Sequence, residues 1–188
     1  GIANALKDGA ADFFAANESD GSTDYYFTQP VQREGRALGQ IVVKVNLAPL
    51  EATEPEAFVK TLHVNLSAPW LLTQACLPWL RKAGDSAVVF VTDEPARVGK
   101  AYWGAYGLSK LALAALVRQL GEETASSPVR VSGLEPGPMR TDLRARAYAD
   151  EAQLRVPGPA AYAAACVHLL SPAGVGHRGQ VWAPRVAA

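Results

Sequence analysis

Two short apolar runs, Ser86 to Thr92 (Ser-Ala-Val-Val-Phe-Val-Thr) and Val129 to Leu134 (Val-Arg-Val-Ser-Gly-Leu), bracket a long stretch of helical periodicity, and that pairing constrains the fold most. A continuous apolar run such as Ser86 to Thr92 suits a strand buried on both faces of a parallel sheet. Between the two runs, Leu111, Leu113, Leu116, Val117 and Leu120 recur at helical spacing, which predicts a helix from about Tyr102 to Glu123. Strand, helix and strand in this order form a βαβ unit, whose strands run parallel.

The flanking segments extend the pattern. Ile41 to Val45 reads as a strand between Gly39 and Pro49. Thr53 followed by Pro55 and Glu56 predicts a helix start capped by Thr53, and Phe58, Leu62, Leu66, Leu72, Cys76 and Leu80 carry the helix to about Arg81, bending near Pro69 or Pro78. Ala160 to Leu170 reads as a last helix and Gln180-Val181-Trp182 as a last strand. Glu18 to Asp24 reads as a polar loop, and Tyr25-Tyr26-Phe27 as a short strand or a packed anchor. The expected fold is an α/β single domain over residues 1–188, a doubly wound parallel sheet with helices on both faces. Ligands of such sheets sit beyond the carboxyl ends of the strands, where Asp93, the loop after it and Pro136 to Thr141 fall.

Charge narrows the partners. Eighteen basic residues balance eighteen acidic ones without a long run of either sign, which argues against a nucleic-acid binder and for a small-molecule ligand. Cys76 and Cys166 lie far apart in apolar helical patterns without metal-ligand spacing, and read as reduced core thiols. Charges and prolines interrupt the apolar stretches before they could span a bilayer, so the chain is expected to be cytoplasmic, with no membrane partner and no metal. It opens on Gly1 rather than Met, as a processed product or a piece of a longer chain would.

Within this frame one pair stands out for chemistry. Tyr106 and Lys110 are four residues apart, on one face of the predicted helix. A phenol titrates near ~10 in water and works as an acid or base at neutral pH only where a cation stabilises its phenolate. Lys110 is placed to be that cation, although such a pair also occurs in helices that do no chemistry.

Four segments together resemble the short-chain dehydrogenase/reductase family over roughly residues 48–184. His63-Val64-Asn65-Leu66-Ser67-Ala68-Pro69 is similar to the helix carrying the family's catalytic asparagine, and Tyr106-Gly107-Leu108-Ser109-Lys110 to its YxxxK motif. Val129 to Thr141, with Pro136-Gly137-Pro138-Met139-Arg140-Thr141, is similar to the strand and loop that hold the nicotinamide; Gly179-Gln180-Val181 is similar to the closing strand. The resemblance implies an NAD(P)-dependent oxidoreductase that moves hydride between nicotinamide and a carbonyl or alcohol substrate, with NADP preferred over NAD. It implies Tyr106 as general acid/base, Lys110 bonding the nicotinamide ribose, Asn65 holding a relay water, and Pro136, Gly137, Met139 and Thr141 gripping the cofactor. It also implies a homodimer or homotetramer built on the helices near 54–81 and 102–123. A local role for Asn65 beside Pro69, and a plain turn at Pro136 to Pro138, stay open on the residues alone.

The departures from the pattern are equally specific. The family's catalytic serine precedes the tyrosine by thirteen residues, and here that position is Asp93. An ionised aspartate only accepts hydrogen bonds, and its charge opposes phenolate formation. Thr92 could take over only if the chain bulges, since neighbouring strand residues point to opposite faces. The glycine-rich TGxxxGxG turn is absent, Gly1 to Ala10 being similar only to the helix after it, and Val45-Asn46-Leu47-Ala48-Pro49 is at best a degraded NNAG. Residues 1–47 are therefore expected to be a divergent or incomplete nucleotide-binding part and 48–188 the catalytic and substrate part. A non-catalytic homologue that binds a ligand or pairs with another subunit is the alternative, and a third reading has the tyrosine and lysine serve a lyase or isomerase reaction that needs no hydride. Arg144 and Arg146, after Thr141, either meet an anionic substrate or are simply solvated.

Overall fold

The structure, a computed structural model, describes residues 12–17, 23–33, 36–45, 50, 53–141, 144 and 156–185, the first three stretches as backbone alone. Those three are strands. β1 (Asp12–Asn17), β2 (Thr23–Arg33) and β3 (Arg36–Val45) form an antiparallel sheet in that order, with a bulge in β2 between Val31 and Gln32. Ile41 to Val45 is thus a strand, but it pairs antiparallel with β2 instead of standing in the parallel sheet. Two residues separate β2 from β3, and so short a connection permits only antiparallel pairing, since a parallel crossover needs a dozen residues or more. Tyr25-Tyr26-Phe27 is strand, and because β2 begins at Thr23 the expected loop loses its last two residues. Residues 1–10 and 46–49, on which the readings of the glycine turn's helix and the NNAG remnant rest, lie outside the described residues.

A continuous helical path follows: α1 (Pro55–Leu62), a π-helical segment (His63–Ser67) and α2 (Ala68–Lys82). The N-cap is Glu54 rather than Thr53, because Pro55 takes the first helical position, where its missing N–H costs nothing. The expected disturbance at Pro69 is a change of register. Pro69 has no N–H to give the Asn65 carbonyl four residues back, and the ladder widens so that the Ala68 N–H bonds the His63 carbonyl, five residues away. Pro78 is accommodated inside α2.

The remaining elements build the parallel sheet. β4 (Ser86–Val91), the short α3 (Pro95–Val98), α4 (Gly104–Glu123), β5 (Val129–Leu134), α5 (Ala163–Leu170) and β6 (Val181–Trp182) follow in sequence. The strands run parallel in the order β4-β5-β6, with Ser86 opposite Val129 and Leu134 opposite Trp182. Strand alternation then sorts the core into two layers. Val88, Phe90, Val129 and Val131 face Leu113, Val117 and Leu120 of α4, joined by Leu66, Leu77 and Leu80. Val89, Leu134 and Trp182 face Ala165 and Leu169 of α5 on the other side. The expected parallel sheet with helices on both faces is the architecture of this region. Val117, Val129 and Val131 are 0% exposed, and burial of each contributes about 1.5–3 kcal/mol.

Helix α4 starts at Gly104 and not near Tyr102: Tyr102 sits at φ 70° and Gly104 at φ 48°, so left-handed backbone holds the chain out of regular helix up to Gly104. Gly107, one turn into the helix, is a point of close approach: a Cβ there would stand 2.1 Å from the Val98 carbonyl oxygen and 2.9 Å from Trp103 Cβ. The absence of a side chain at Gly107 lets the first turns of α4 lie directly on α3, which fixes the segment between β4 and α4. That segment carries the candidate site. No described helix is long and apolar enough to cross a membrane.

Candidate active site

Beyond the carboxyl end of β4, Asp93 meets Tyr106 of α4: the Tyr106 hydroxyl donates to Asp93 Oδ2 at 2.8 Å. Lys110, one turn further along α4, lies with Nζ 5.7 Å from the centre of the Tyr106 ring and donates to the Val91 carbonyl at 2.9 Å. The helical spacing thus does what the sequence implies, holding phenol, ammonium and carboxylate in one neighbourhood. Lys110 is buried, and desolvation pulls its ammonium from 10.5 down to about 8, while the charge of Asp93 acts in the opposite direction. At neutral pH it therefore keeps its proton and remains a fixed cation beside the phenol.

This burial has a measurable signature. Because the folded-state value lies below the unfolded one, the unfolded chain binds more protons between about pH 8 and 10.5, and the contribution of Lys110 to stability rises with pH across that window. Relative to Lys110→Met, the native chain is expected to gain up to about 3 kcal/mol between those limits in urea unfolding. A pH-independent difference would contradict the burial.

Asp93 is held on its other oxygen as well. Oδ1 accepts the Glu94 N–H at 2.7 Å and forms an ion pair with Arg97, one helical turn away. Arg97 lies over the Trp103 ring at 5.6 Å, and Trp103 packs on Tyr106 with ring centres 5.9 Å apart. Thr92 does not take the serine's place: its hydroxyl is bonded to the Leu134 carbonyl at 3.2 Å, which leaves Asp93 as the group on Tyr106.

Asn65 is buried in the π segment, and its Nδ2 donates to Ser109 Oγ at 3.2 Å; Ser109 Oγ in turn donates to the Tyr106 carbonyl at 2.7 Å. Asn65 thus reaches α4 through Ser109, a fully buried residue that sequence reading did not single out. Arg97 was also missed there, although its i,i+4 spacing from Asp93 was available as a signal. His63 is exposed, in keeping with a helix-face residue.

The loop after β5 forms the other wall. Pro136 is buried, Gly137 adopts φ 71°, and Met139 is half-buried. The Tyr162 hydroxyl donates to the Pro138 carbonyl at 3.2 Å, and the Arg140 N–H to the Pro157 carbonyl at 2.8 Å, so the loop is tied down from two sides. Thr141 Oγ1 accepts the Arg144 N–H at 3.2 Å. Glu135, the first residue of the loop, has its carboxyl raised, first by burial and then by the charges of Glu94 and Asp93, with Arg97 opposing. Arg146 lies outside the described residues. Among the described residues no group of three or more ligating side chains could hold a metal ion, and Cys76 and Cys166 are free and half-buried.

Comparison with known proteins gives the family. The family profile described as short chain dehydrogenase matches residues 28–152. The uncharacterized oxidoreductase YciK of Escherichia coli strain K12 is 34% identical over 115 residues, covering 61% of this chain and 45% of that protein. Dehydrogenase/reductase SDR family member 4 of Sus scrofa is 36% identical over 104 residues, covering 55% of this chain and 37% of that protein. Among solved structures, a short chain dehydrogenase from Pseudomonas syringae is 37% identical with a TM-score of 0.68, covering 72% of this chain and 56% of that one. One from Escherichia coli CFT073, complexed with NADPH, is 29% identical with a TM-score of 0.69, covering 74% and 57%. The chain spans less than half the length of these curated relatives. With the profile matching well over half of its residues, on the elements that carry Asn65, Asp93, Tyr106 and Lys110, this chain belongs to the short-chain dehydrogenase family.

Proposed function

We propose that this chain is the catalytic part of an NAD(P)-dependent oxidoreductase that exchanges hydride between nicotinamide and a small carbonyl or alcohol substrate, with Tyr106 as general acid/base. The observation that carries the proposal is a buried ammonium, Lys110, fixed 5.7 Å from the ring of a phenol whose hydroxyl is already in a hydrogen bond at the crevice. General acid/base chemistry at neutral pH by a group of high intrinsic pKa calls for this arrangement.

The residues present fit a nicotinamide. Gly137, in left-handed backbone, lets the loop turn beside Tyr162, and Thr141 receives a bond at its oxygen yet has its own hydroxyl proton to give. Pro136, Gly137, Met139 and Thr141 would hold the ring, and Tyr106 and Lys110 its ribose; the cofactor, when bound, supplies the hydride. The solved relative with NADPH supports a preference for NADP over NAD. The test is turnover followed by nicotinamide absorbance, with a carbonyl panel and NADPH in one direction and an alcohol panel and NADP in the other. Turnover above that of Tyr106→Phe supports the proposal; none in either direction overturns it in favour of a non-catalytic homologue.

The active form is a dimer or tetramer in this reading. Val59 of α1, Trp70, Leu71, Leu72 and Trp79 of α2 and Leu108 of α4 are exposed apolar side chains on the helices expected to pair. Light scattering is expected to give at least twice the monomer mass, and Leu72→Glu with Trp79→Glu to lower it. A monomeric native chain would contradict the pairing.

A further inference from the structure

Asp93 and Tyr106 are 2.8 Å apart, close enough that both address the same atom of a ligand seated between them. A serine at the Asp93 position could give or take a hydrogen bond; a carboxylate can only take one. Asp93 is held as an acceptor, since Oδ1 receives both the Arg97 guanidinium and the Glu94 N–H. Among the described residues Oδ2 has one partner, the Tyr106 hydroxyl, so an acceptor direction remains on that oxygen.

The surroundings share its sign. Glu94 and Glu135 stand near enough for their charges to be felt across the crevice mouth, and the cation that answers them, Arg97, is already engaged by Asp93 and lies 4.0 Å from Glu94. A ketone or aldehyde brings only oxygen lone pairs to this point and is repelled by the carboxylate. A hydroxyl brings a proton that this pair can accept, at the Tyr106 oxygen while the Tyr106 proton stays hydrogen-bonded to Oδ2, or at Oδ2 itself where the phenol is lacking.

We propose that Asp93 makes this a site for the alcohol form of the substrate, and that Asp93 is the terminal proton acceptor of the reaction, reached through Tyr106. This deepens the oxidoreductase reading and rests on it. In the step, the alcohol O–H bond breaks and its proton passes to the Tyr106 oxygen while the Tyr106 proton passes to Asp93 Oδ2. The C–H bond breaks with its electron pair leaving as hydride to an oxidised nicotinamide, and the oxygen lone pair forms the carbonyl. The substrate is oxidised, the nicotinamide reduced, and one proton remains on Asp93.

The test is calorimetric binding of matched pairs, isopropanol with acetone and cyclohexanol with cyclohexanone, to the native chain, Asp93→Ser and Tyr106→Phe, with NADP binding measured separately. The native chain is expected to favour each alcohol by about tenfold, as for a hydrogen bond to a charged acceptor. Asp93→Ser is expected to bring the ratio close to one, and Tyr106→Phe to keep the preference while lowering oxidation about 10²–10⁴-fold. Equal or tighter ketone binding, an unchanged ratio in Asp93→Ser, or no binding of either form overturns the proposal. Absence of NADP binding together with a clear alcohol preference overturns instead the oxidoreductase reading on which the proton-transfer role rests.

Discussion

Tyr106→Phe is expected to lower kcat about 10²–10⁴-fold, the usual contribution of a positioned general acid or base. The substitution removes a single oxygen, the one that bonds Asp93 Oδ2, and leaves the ring packed between Trp103 and the Lys110 stem. Folding should therefore be nearly unaffected, and nicotinamide should still bind, weakened only by the loss of the Tyr106 oxygen at the ribose, because Lys110 keeps its place through the Val91 carbonyl. The measurement is steady-state kinetics with thermal unfolding as a control. A variant that keeps more than about a tenth of native kcat would remove Tyr106 from the chemistry.

Gly107→Ala is expected to damage the molecule for a different reason. The new methyl would stand 2.1 Å from the Val98 carbonyl oxygen, a backbone atom that cannot swing away as a side-chain tip can. Relief requires α3 to move off α4, and α3 carries Arg97, the partner of Asp93. A loss of about 3 kcal/mol is expected, at the upper end of overpacking costs, or roughly 10 °C in Tm for a domain of this size. Activity should fall further than stability explains, since the Asp93–Tyr106 distance depends on that contact. Gly176→Ala is the control: nothing lies within 4 Å of its added Cβ, and a change within about 0.5 kcal/mol is expected. Equal stability of the two variants would contradict the packing.

The parallel sheet was legible in the sequence because its signals are local. Ser86 to Val91 is a short apolar run, though it is only half-buried up to Val89 and exposed at Val91, whereas Val129 to Leu134 is buried throughout, and the leucines of α4 repeat at one helical period. The site was legible where it depends on spacing along one helix, as for Tyr106 and Lys110, or on position relative to it, as for Asp93. It was less so where groups meet across elements. Ser109 looks like any small helix residue until Asn65, forty-four positions earlier, is brought against it. Nor does the sequence of β3 reveal its partner: Ile41 to Val45 would suit a parallel or an antiparallel neighbour, and pairing with β2 is settled by the short connection between them. Tyr102 shortened the predicted helix for a reason no periodicity contains, its left-handed backbone.

The central claim is that Tyr106 and Lys110 face a nicotinamide. Fluorescence titration of the native chain and of Lys110→Ala with NADPH and with NADH tests it most directly, since Lys110 is the buried cation assigned to the ribose. Saturable binding in the micromolar range, weakened at least about tenfold by Lys110→Ala, is the expected result, a tenfold loss being about 1.4 kcal/mol. No binding of either nucleotide up to millimolar concentration, or equal binding by the variant, would contradict it.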